Sequence, residues 1–160
     1  MKSTGHIRLA GPQDLAAVSG LLEQVLAVHH AGRPDLFRPF GRKYGDAELL
    51  TIFADPKTPV FVYDDDGVVL GYAFCQEQAQ DSGSLMPLRT LYIDDICVDE
   101  KARGRHVGKA LFEYVKAYAA AGGFYNITLH VWECNPGARA FYEDMGLQPQ
   151  YTSMEMIIGK

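Results

Sequence analysis

The sequence has little cysteine and no long apolar run. Its three cysteines, Cys75, Cys97 and Cys134, are far apart and none belongs to a C-x-x-C pair. Such a set predicts neither a disulfide framework nor a zinc site, and it favours a reducing compartment. The first ten residues contain too short an apolar run for a signal peptide, and no segment approaches the roughly 20 apolar residues of a membrane span. We therefore expect a cytoplasmic protein with no metal and no membrane partner.

Positive charge is also in short supply. Fifteen Lys and Arg residues face twenty Asp and Glu residues, which gives a formal net charge of −5. This balance argues against nucleic acid as a partner. The 160 residues contain no repeat, low-complexity run or linker, so one domain over residues 1–160 is expected.

Hydrophobic periodicity predicts six strands and four helices. The strands cover residues 6–10, 59–63, 68–78, 88–98, 125–132 and 147–158, and the helices begin near Asp14, Asp46, Val107 and Pro136. A hairpin with an Asp-Gly turn is followed by one β-α-β crossover. The order predicts an α+β sandwich with a mixed, mostly antiparallel central sheet flanked by helices. Strand alternation in "YIDDICV" places Asp94 and Asp95 on opposite faces, with Ile96 on the face of Asp94.

The stretch "RGRHVGKAL", residues 103–111, joins the fourth strand to the third helix. A P-loop would read G-x-x-x-x-G-K-S/T, but the glycines here are one residue too close and Ala110 stands where the hydroxyl is needed. A helix N-terminus with nearby glycines and basic residues is still suited to a diphosphate. A glycine-bearing turn with solvated basic side chains fits this stretch equally well.

A second motif, "NPGARAFYEDMGL", follows about thirty residues later. Asn135 is placed as a helix N-cap, Pro136 as the first helical residue and Gly146 as the stop. Together, the two motifs resemble the GNAT superfamily of acyl-CoA-dependent N-acyltransferases, strongly over residues 91–148. The phosphate motif of that family, Gln/Arg-x-x-Gly-x-Gly/Ala, is matched from Arg105 to Ala110. His106 departs from the glycine that many members carry.

The resemblance implies a reaction and a cosubstrate. An acetyl group would pass from acetyl-CoA to a primary amine by direct attack. The fourth strand would splay away from the fifth to admit the pantetheine arm. Coenzyme contacts would come from the strand backbone, the loop and the second motif, at Ile96, Cys97, Val98, Arg103, Gly104, Arg105, His106, Val107, Gly108, Lys109 and Asn135.

Proton transfer needs two further groups. A phenol with an ordinary pKa of about 10 can protonate the departing thiolate, and Tyr142 matches the position of that acid in the family. Asp94 and His130 both match positions where family members carry a general base, and the choice between them stays open. Two structural alternatives also stay open, in which Asp94 is a strand-surface carboxylate and His130 is a hydrogen-bonded strand histidine.

The acceptor is expected near the loop that follows the first helix. His29, Arg33 and Phe37 are the candidate substrate residues there. His29 also fits the apolar stripe of that helix, and Arg33 and Asp35 also fit a structural turn with an internal ion pair. A small-molecule amine is the expected acceptor. The alternatives are a protein N-terminal or lysine acetyltransferase and a non-catalytic acyl-CoA-binding module, and a homodimer is left open.

Overall fold

A five-stranded sheet with helices on both faces makes up the protein. The computed structural model describes residues 5–159. The strands are β1 His6–Leu9, β2 Val60–Asp65, β3 Val68–Gln80, β4 Leu88–Val98 and β5 Asn126–Leu129. The helices are α1 Leu15–Gly32, α2 Asp46–Ala54, α3 Val107–Ala121 and α4 Pro136–Asp144, with short 3-10 turns at Pro12–Asp14 and Glu100–Ala102.

The strands lie in the order β1-β2-β3-β4-β5. Every neighbouring pair is antiparallel except β4 and β5, which are parallel and joined by α3. This confirms the predicted mixed, mostly antiparallel sheet. None of the four described helices is long and apolar enough to cross a membrane.

Two apolar clusters cover the two faces of the sheet. On one face, Val107, Leu111 and Val115 of α3 pack over the central strands, and on the other, α1 and α2 do so through residues such as Val18 and Leu49. Both helices that precede β2 therefore share one face, while α3 holds the other. We refer to these as the α3 face and the α1/α2 face.

The β2–β3 hairpin turns at Asp66 and Gly67. Their φ angles are +53° and +87°, which is the two-residue geometry that Asp-Gly favours. The side chain of Asp64 accepts a hydrogen bond from the Gly67 N–H at 2.7 Å. The predicted turn is confirmed, and both strands are longer than the sequence pattern indicated.

Strand β4 contains one extra residue. Opposite β3, Asp95 pairs with Phe74 but Ile93 pairs with Cys75, so Asp94 has no counterpart in the ladder. This is a β-bulge, which interrupts the alternation of side chains. Asp94 and Asp95 both face the α1/α2 side, while Ile96 returns to the α3 face. The prediction that the two aspartates lie on opposite faces, with Ile96 beside Asp94, is wrong for that reason.

Strands β4 and β5 diverge at the bulge. Their pairing covers only Thr90 to Ile93 against Asn126 to Leu129 and ends at the residue before Asp94. Beyond it β4 continues to Val98 beside β3, whereas β5 stops at Leu129 instead of residue 132. The expected splay between these two strands is present.

The last predicted strand does not form. Residues 147–157 have no regular secondary structure, and Met154, Met156 and Ile158 are 90%, 83% and 87% exposed. Within residues 5–159, the backbone of residues 148–158 forms no hydrogen bond with another backbone group. The alternating pattern at 147–158 reflects a local preference, but a strand also needs a neighbouring chain, which that pattern cannot supply.

Candidate active site

The site lies where β4 and β5 diverge, and α4 brings a tyrosine to it. The Asn135 side chain accepts a hydrogen bond from the Ala138 N–H at 3.2 Å, as an N-cap residue does, and Pro136 begins the helix. Phe141 and Met145 of α4 pack against the cluster on the α3 face. With the helix fixed in this way, Tyr142 is directed toward β4.

The Tyr142 hydroxyl lies in a protected position beside β4. It interacts with the backbone N–H of Ile96. Burial raises the pKa of Tyr142 above the usual range of a phenol, and the nearby carboxyl of Asp95 raises it further. The hydroxyl therefore stays protonated at neutral pH and is able to donate a proton.

The first carboxylate of the site, Asp94, is enclosed by the loop between α1 and α2. Its two oxygens accept hydrogen bonds from the Lys43 ammonium and the Tyr44 hydroxyl, each at 2.7 Å. The Asp94 side chain is only 8% exposed, whereas that of Lys43 is 58% exposed. Tyr44 stacks on Phe74 with ring centroids 5.7 Å apart, which holds the loop against the sheet.

A small cavity lies beside this carboxylate. It measures about 20 Å³ and is lined in part by Tyr44, Phe74 and Asp94. That volume admits a group the size of a water molecule or an ammonium head. Lys43 was not among the predicted site residues, because no local pattern connects a loop lysine to a strand aspartate 51 positions away.

The second carboxylate, Asp95, lies on the same face as Asp94 and not on the opposite face that strand alternation predicts. It accepts a hydrogen bond from the Tyr72 hydroxyl at 2.6 Å, and Tyr72 is fully buried. The residue keeps some exposed area, but its carboxyl group is surrounded by protein, and this burial raises its pKa to about 6. The site thus contains two carboxylates in different environments.

The rival base, His130, follows the end of β5 and is exposed. Its Nε2 lies 2.9 Å from the Tyr151 hydroxyl, and its Nδ1 lies 3.4 Å from that of Tyr92. Both rings meet the imidazole at an angle. His130 is therefore oriented by two phenols at the open side of the splay, and Asp94 lies on the enclosed side.

The basic loop leads directly into α3. Gly104 has φ +81° with open space around it, and His106 caps the helix in the left-handed conformation with φ +61°. The exposed side chains of the loop are Arg103, Arg105, His106 and Lys109. Arg105 is engaged by Asp65 at 3.1 Å. An open backbone turn, a helix N-terminus and exposed cations together suit a diphosphate.

The first two residues of α3 have structural roles that the sequence did not predict. A Cβ on Gly108 would lie 3.4 Å from the Phe141 ring, which is ordinary van der Waals contact, so α4 packs directly on the first turn of α3. The Val107 side chain is buried in the α3-face cluster, which leaves only its backbone for ligand contacts. Val98 approaches the Gly108 position as well, at 3.5 Å.

Two of the three cysteines are poor nucleophiles in this setting. Cys97 is buried on β4, and burial raises its pKa to about 12. Burial has the same effect on Cys75. Both therefore remain thiols at neutral pH, which disfavours acyl transfer through either of them. Within residues 5–159, no three His, Cys, Asp or Glu residues cluster as a metal site would require.

The predicted acceptor residues lie together near the end of α1. His29 contacts Phe37 with ring centroids 4.8 Å apart, and Phe37 meets the edge of Trp132 at 5.1 Å. Burial lowers the pKa of His29. Arg33 pairs with Asp35, as the structural-turn alternative predicts, and also with Glu155. Trp132 was not among the predicted site residues, because its contact with Phe37 joins two distant segments of the chain.

Comparisons with known proteins identify the family of this chain. The sequence model of the acetyltransferase (GNAT) family matches residues 25–147. A mutant of the BH1408 protein from Bacillus halodurans is 30% identical with a TM-score of 0.92, covering 96% of this chain and 99% of that one. No curated protein matches the chain.

Two more distant structures share the fold. The aminoglycoside N-acetyltransferase AAC(6')-Iy in complex with CoA is 16% identical with a TM-score of 0.72, covering 100% of this chain and 98% of that one. A ribosomal-protein-alanine N-acetyltransferase from Brucella melitensis is 17% identical with a TM-score of 0.72, covering 96% and 99%. Since the family model spans well over half of the sequence, the chain belongs to the GNAT family and is an acyl-CoA N-acetyltransferase.

Proposed function

We propose that this enzyme transfers an acetyl group from acetyl-CoA to the primary amine of a small molecule, with residues 1–160 acting as one domain. The observation that carries the proposal is the ammonium group of Lys43 on the enclosed carboxylate of Asp94. A primary alkyl ammonium is therefore already held beside β4, on the strand whose Ile96 N–H interacts with Tyr142. An acceptor amine would take the place of the exposed lysine.

The coenzyme would lie between the diverging strands. Its diphosphate suits the loop from Arg103 to Lys109, where backbone N–H groups and exposed cations converge. Its arm would follow the backbone of β4 at Ile96, Cys97 and Val98, with Asn135 at the far side of the splay. The bound coenzyme supplies an acetyl thioester. The Ile96 N–H is the candidate donor to the oxyanion that forms from the thioester carbonyl.

Each titratable group of the site has a proposed role in proton transfer. An alkyl ammonium with a pKa of about 10 must lose a proton before its nitrogen attacks. Asp94 is positioned to hold the ammonium and to accept that proton, and the buried Asp95 is a second acceptor nearby. His130 is the rival base on the exposed side. As the new C–N bond forms and the C–S bond breaks, the Tyr142 hydroxyl protonates the thiolate.

A primary amine is favoured by the size of the cavity beside Asp94. About 20 Å³ accommodates an ammonium head but little else. Lys43 itself is a lysine side chain, so a protein lysine or N-terminus remains the alternative substrate. The two distant structures divide in the same way, since one is named for aminoglycosides and the other for ribosomal-protein alanine. A cytoplasmic location also belongs to the proposal and is supported by the dispersed free cysteines.

A screen of acceptors with acetyl-CoA tests the reaction and the substrate class together. The panel holds simple monoamines and diamines, amino acids, aminoglycosides, lysine peptides and N-terminal peptides. We expect thiol release above background hydrolysis with small primary amines. Release with peptides alone would contradict the small-molecule proposal. Tight acetyl-CoA binding without release for any acceptor would favour a non-catalytic module.

The charge of the coenzyme loop gives a second prediction. Arg103→Glu should weaken acetyl-CoA binding about 10- to 100-fold, because hydrogen bonds to charged groups contribute about 1.5–3 kcal/mol. Arg103 is the sharper choice because Arg105 is already paired with Asp65. Calorimetric titration measures the affinity. Lys57→Glu, in an exposed turn outside the loop, makes the same change in net charge and should bind normally. An equal loss in both variants would show that only overall charge matters.

The proton-transfer roles make a third prediction. Tyr142→Phe should reduce turnover on the order of 10²–10⁴-fold, while acetyl-CoA affinity changes by no more than about tenfold. Asp94→Asn should be most impaired at low pH and should recover as pH rises, because hydroxide then deprotonates the amine. Turnover measured across pH, with coenzyme affinity measured in parallel, distinguishes the two.

Matched variants make these results interpretable. Tyr125→Phe removes a hydroxyl from an exposed tyrosine and should leave turnover unchanged. If His130→Gln shows the recovery with pH and Asp94→Asn does not, the base is the histidine. Near-normal turnover of Tyr142→Phe, with chemistry limiting the rate, would remove the tyrosine from the mechanism.

A further inference from the structure

Lys43 differs from the other lysines in the part of the chain that the structure describes, because its side chain is bound to a carboxylate. Its ammonium donates a hydrogen bond to an oxygen of Asp94 at 2.7 Å and lies 5.3 Å from the centre of the Tyr44 ring. The other lysines within residues 5–159 form no ion pair, and they are Lys57, Lys101, Lys109 and Lys116. A lysine of the chain itself thus occupies the position proposed for the acceptor amine.

The surroundings of Lys43 belong to the acceptor side of the site. Burial lowers the pKa of His29, and the positive charge of Lys43 lowers it further, so the ammonium also lies near one of the predicted acceptor residues. The next residue, Tyr44, holds the loop on the sheet through its contacts with Asp94 and Phe74. Lys43 is therefore held near both His29 and Asp94 by a loop that is itself anchored.

The groups that would act on an acetyl thioester lie within reach of this ammonium. Asp94 and Ile96 are two residues apart on β4, so their Cα atoms are separated by at most about 7 Å. The Ile96 N–H interacts with Tyr142, the proposed acid. The Lys43 side chain is 58% exposed and has a flexible stem. Its ammonium can therefore leave the carboxylate and approach the thioester while the loop keeps its place.

We propose that Lys43 is a substrate of its own enzyme and accepts the acetyl group of the coenzyme bound to the same chain. This inference rests on the proposed function, because it uses the same carboxylate, backbone N–H and tyrosine. Nothing else is required, since the acyl donor, the base, the acid and the amine are all present when acetyl-CoA is bound. The site of modification is the Nζ atom of Lys43.

The transfer balances in atoms and protons. Asp94 accepts one proton from the Lys43 ammonium and passes it to solvent, and the neutral Nζ attacks the thioester carbonyl. A C–N bond forms as the C–S bond breaks, and Tyr142 protonates the departing thiolate. The nitrogen loses its second proton as the amide forms, which restores the Tyr142 hydroxyl. The products are an acetylated Lys43, which has lost its positive charge, and free coenzyme A.

Placement at the site should make Lys43 much more reactive than a lysine in solution. An amine that is already oriented beside the reacting group acts at a very high effective concentration. Lys57 is exposed in the turn between α2 and β2 and has to react from solution. We therefore expect acetylation of Lys43 to be at least about 100-fold faster than that of Lys57.

Mass spectrometry of the full-length enzyme, incubated with acetyl-CoA and no other acceptor, tests this proposal. One acetyl group of about 42 Da should be added per chain, and peptide mapping should place it on Lys43. At saturating acetyl-CoA the rate constant should stay the same when the enzyme is diluted about tenfold, because the reaction occurs within one chain. Lys43→Arg should lose the rapid increment, whereas Lys57→Arg, the same change outside the site, should keep it. Equal rates at Lys43 and Lys57, or a rate that falls with dilution, would overturn the proposal.

A variant of the acid shows whether the site performs the transfer. Tyr142→Phe should slow acetylation of Lys43 on the order of 10²–10⁴-fold and leave the slow reaction of Lys57 unchanged. Normal acetylation of Lys43 in a variant that no longer turns over external amines would refute self-acetylation.

The acceptor screen separates this proposal from the proposed function. Turnover of small amines by an enzyme whose Lys43 stays unmodified would refute self-acetylation and leave the small-molecule function standing. Rapid acetylation of Lys43 without turnover of any small amine would support self-acetylation and contradict the small-molecule function.

Discussion

One extra residue in β4 is the constraint on which the site depends. Because Asp94 has no counterpart on β3, the strand bends there and its pairing with β5 ends at the preceding residue. The bulge also brings two consecutive carboxylates onto the α1/α2 face and returns Ile96 to the other face. The slot, the carboxylates and the backbone N–H beside Tyr142 all follow from this single irregularity.

Placing two carboxylates inside a sheet requires partners for them. Burial of an unpaired charge is costly, and here each group is satisfied by a different element. The loop after α1 supplies Lys43 and Tyr44 to Asp94, and β3 supplies Tyr72 to Asp95. Burial raises the pKa of Asp95 to about 6 although the Tyr72 hydrogen bond lowers it, and Asp94 holds an ammonium, so the two carboxylates are suited to different tasks. The chemistry of the site is therefore set by the loop as much as by the strand.

Local patterns in the sequence predict most of the fold. The Asp-Gly turn, the cap at Asn135 and the β-α-β crossover depend on residues close together in the chain, and each is present in the structure. The shared face of Asp94 and Asp95 could not be predicted, because a bulge changes no residue type and only the register with β3 reveals it. The pairing of Lys43 with Asp94 was hidden for a similar reason, since it joins distant segments. Residues 147–158 show the opposite case. Their alternating pattern favours a strand, but no neighbouring strand pairs with them in the described part of the chain.

Deletion of Asp94 tests the central claim most directly, with acetyl-CoA affinity as the measurement. Removing the bulge residue leaves Ile93, Asp95 and Ile96 on their present faces in regular alternation, so the sheet should still fold while β4 straightens against β5. We predict that the deletion weakens binding by at least about 100-fold, or roughly 2.7 kcal/mol, whereas Asp94→Asn, which keeps the bulge, binds nearly as well as the unmodified enzyme. A folded deletion variant with unchanged affinity would contradict the dependence of the slot on this bulge.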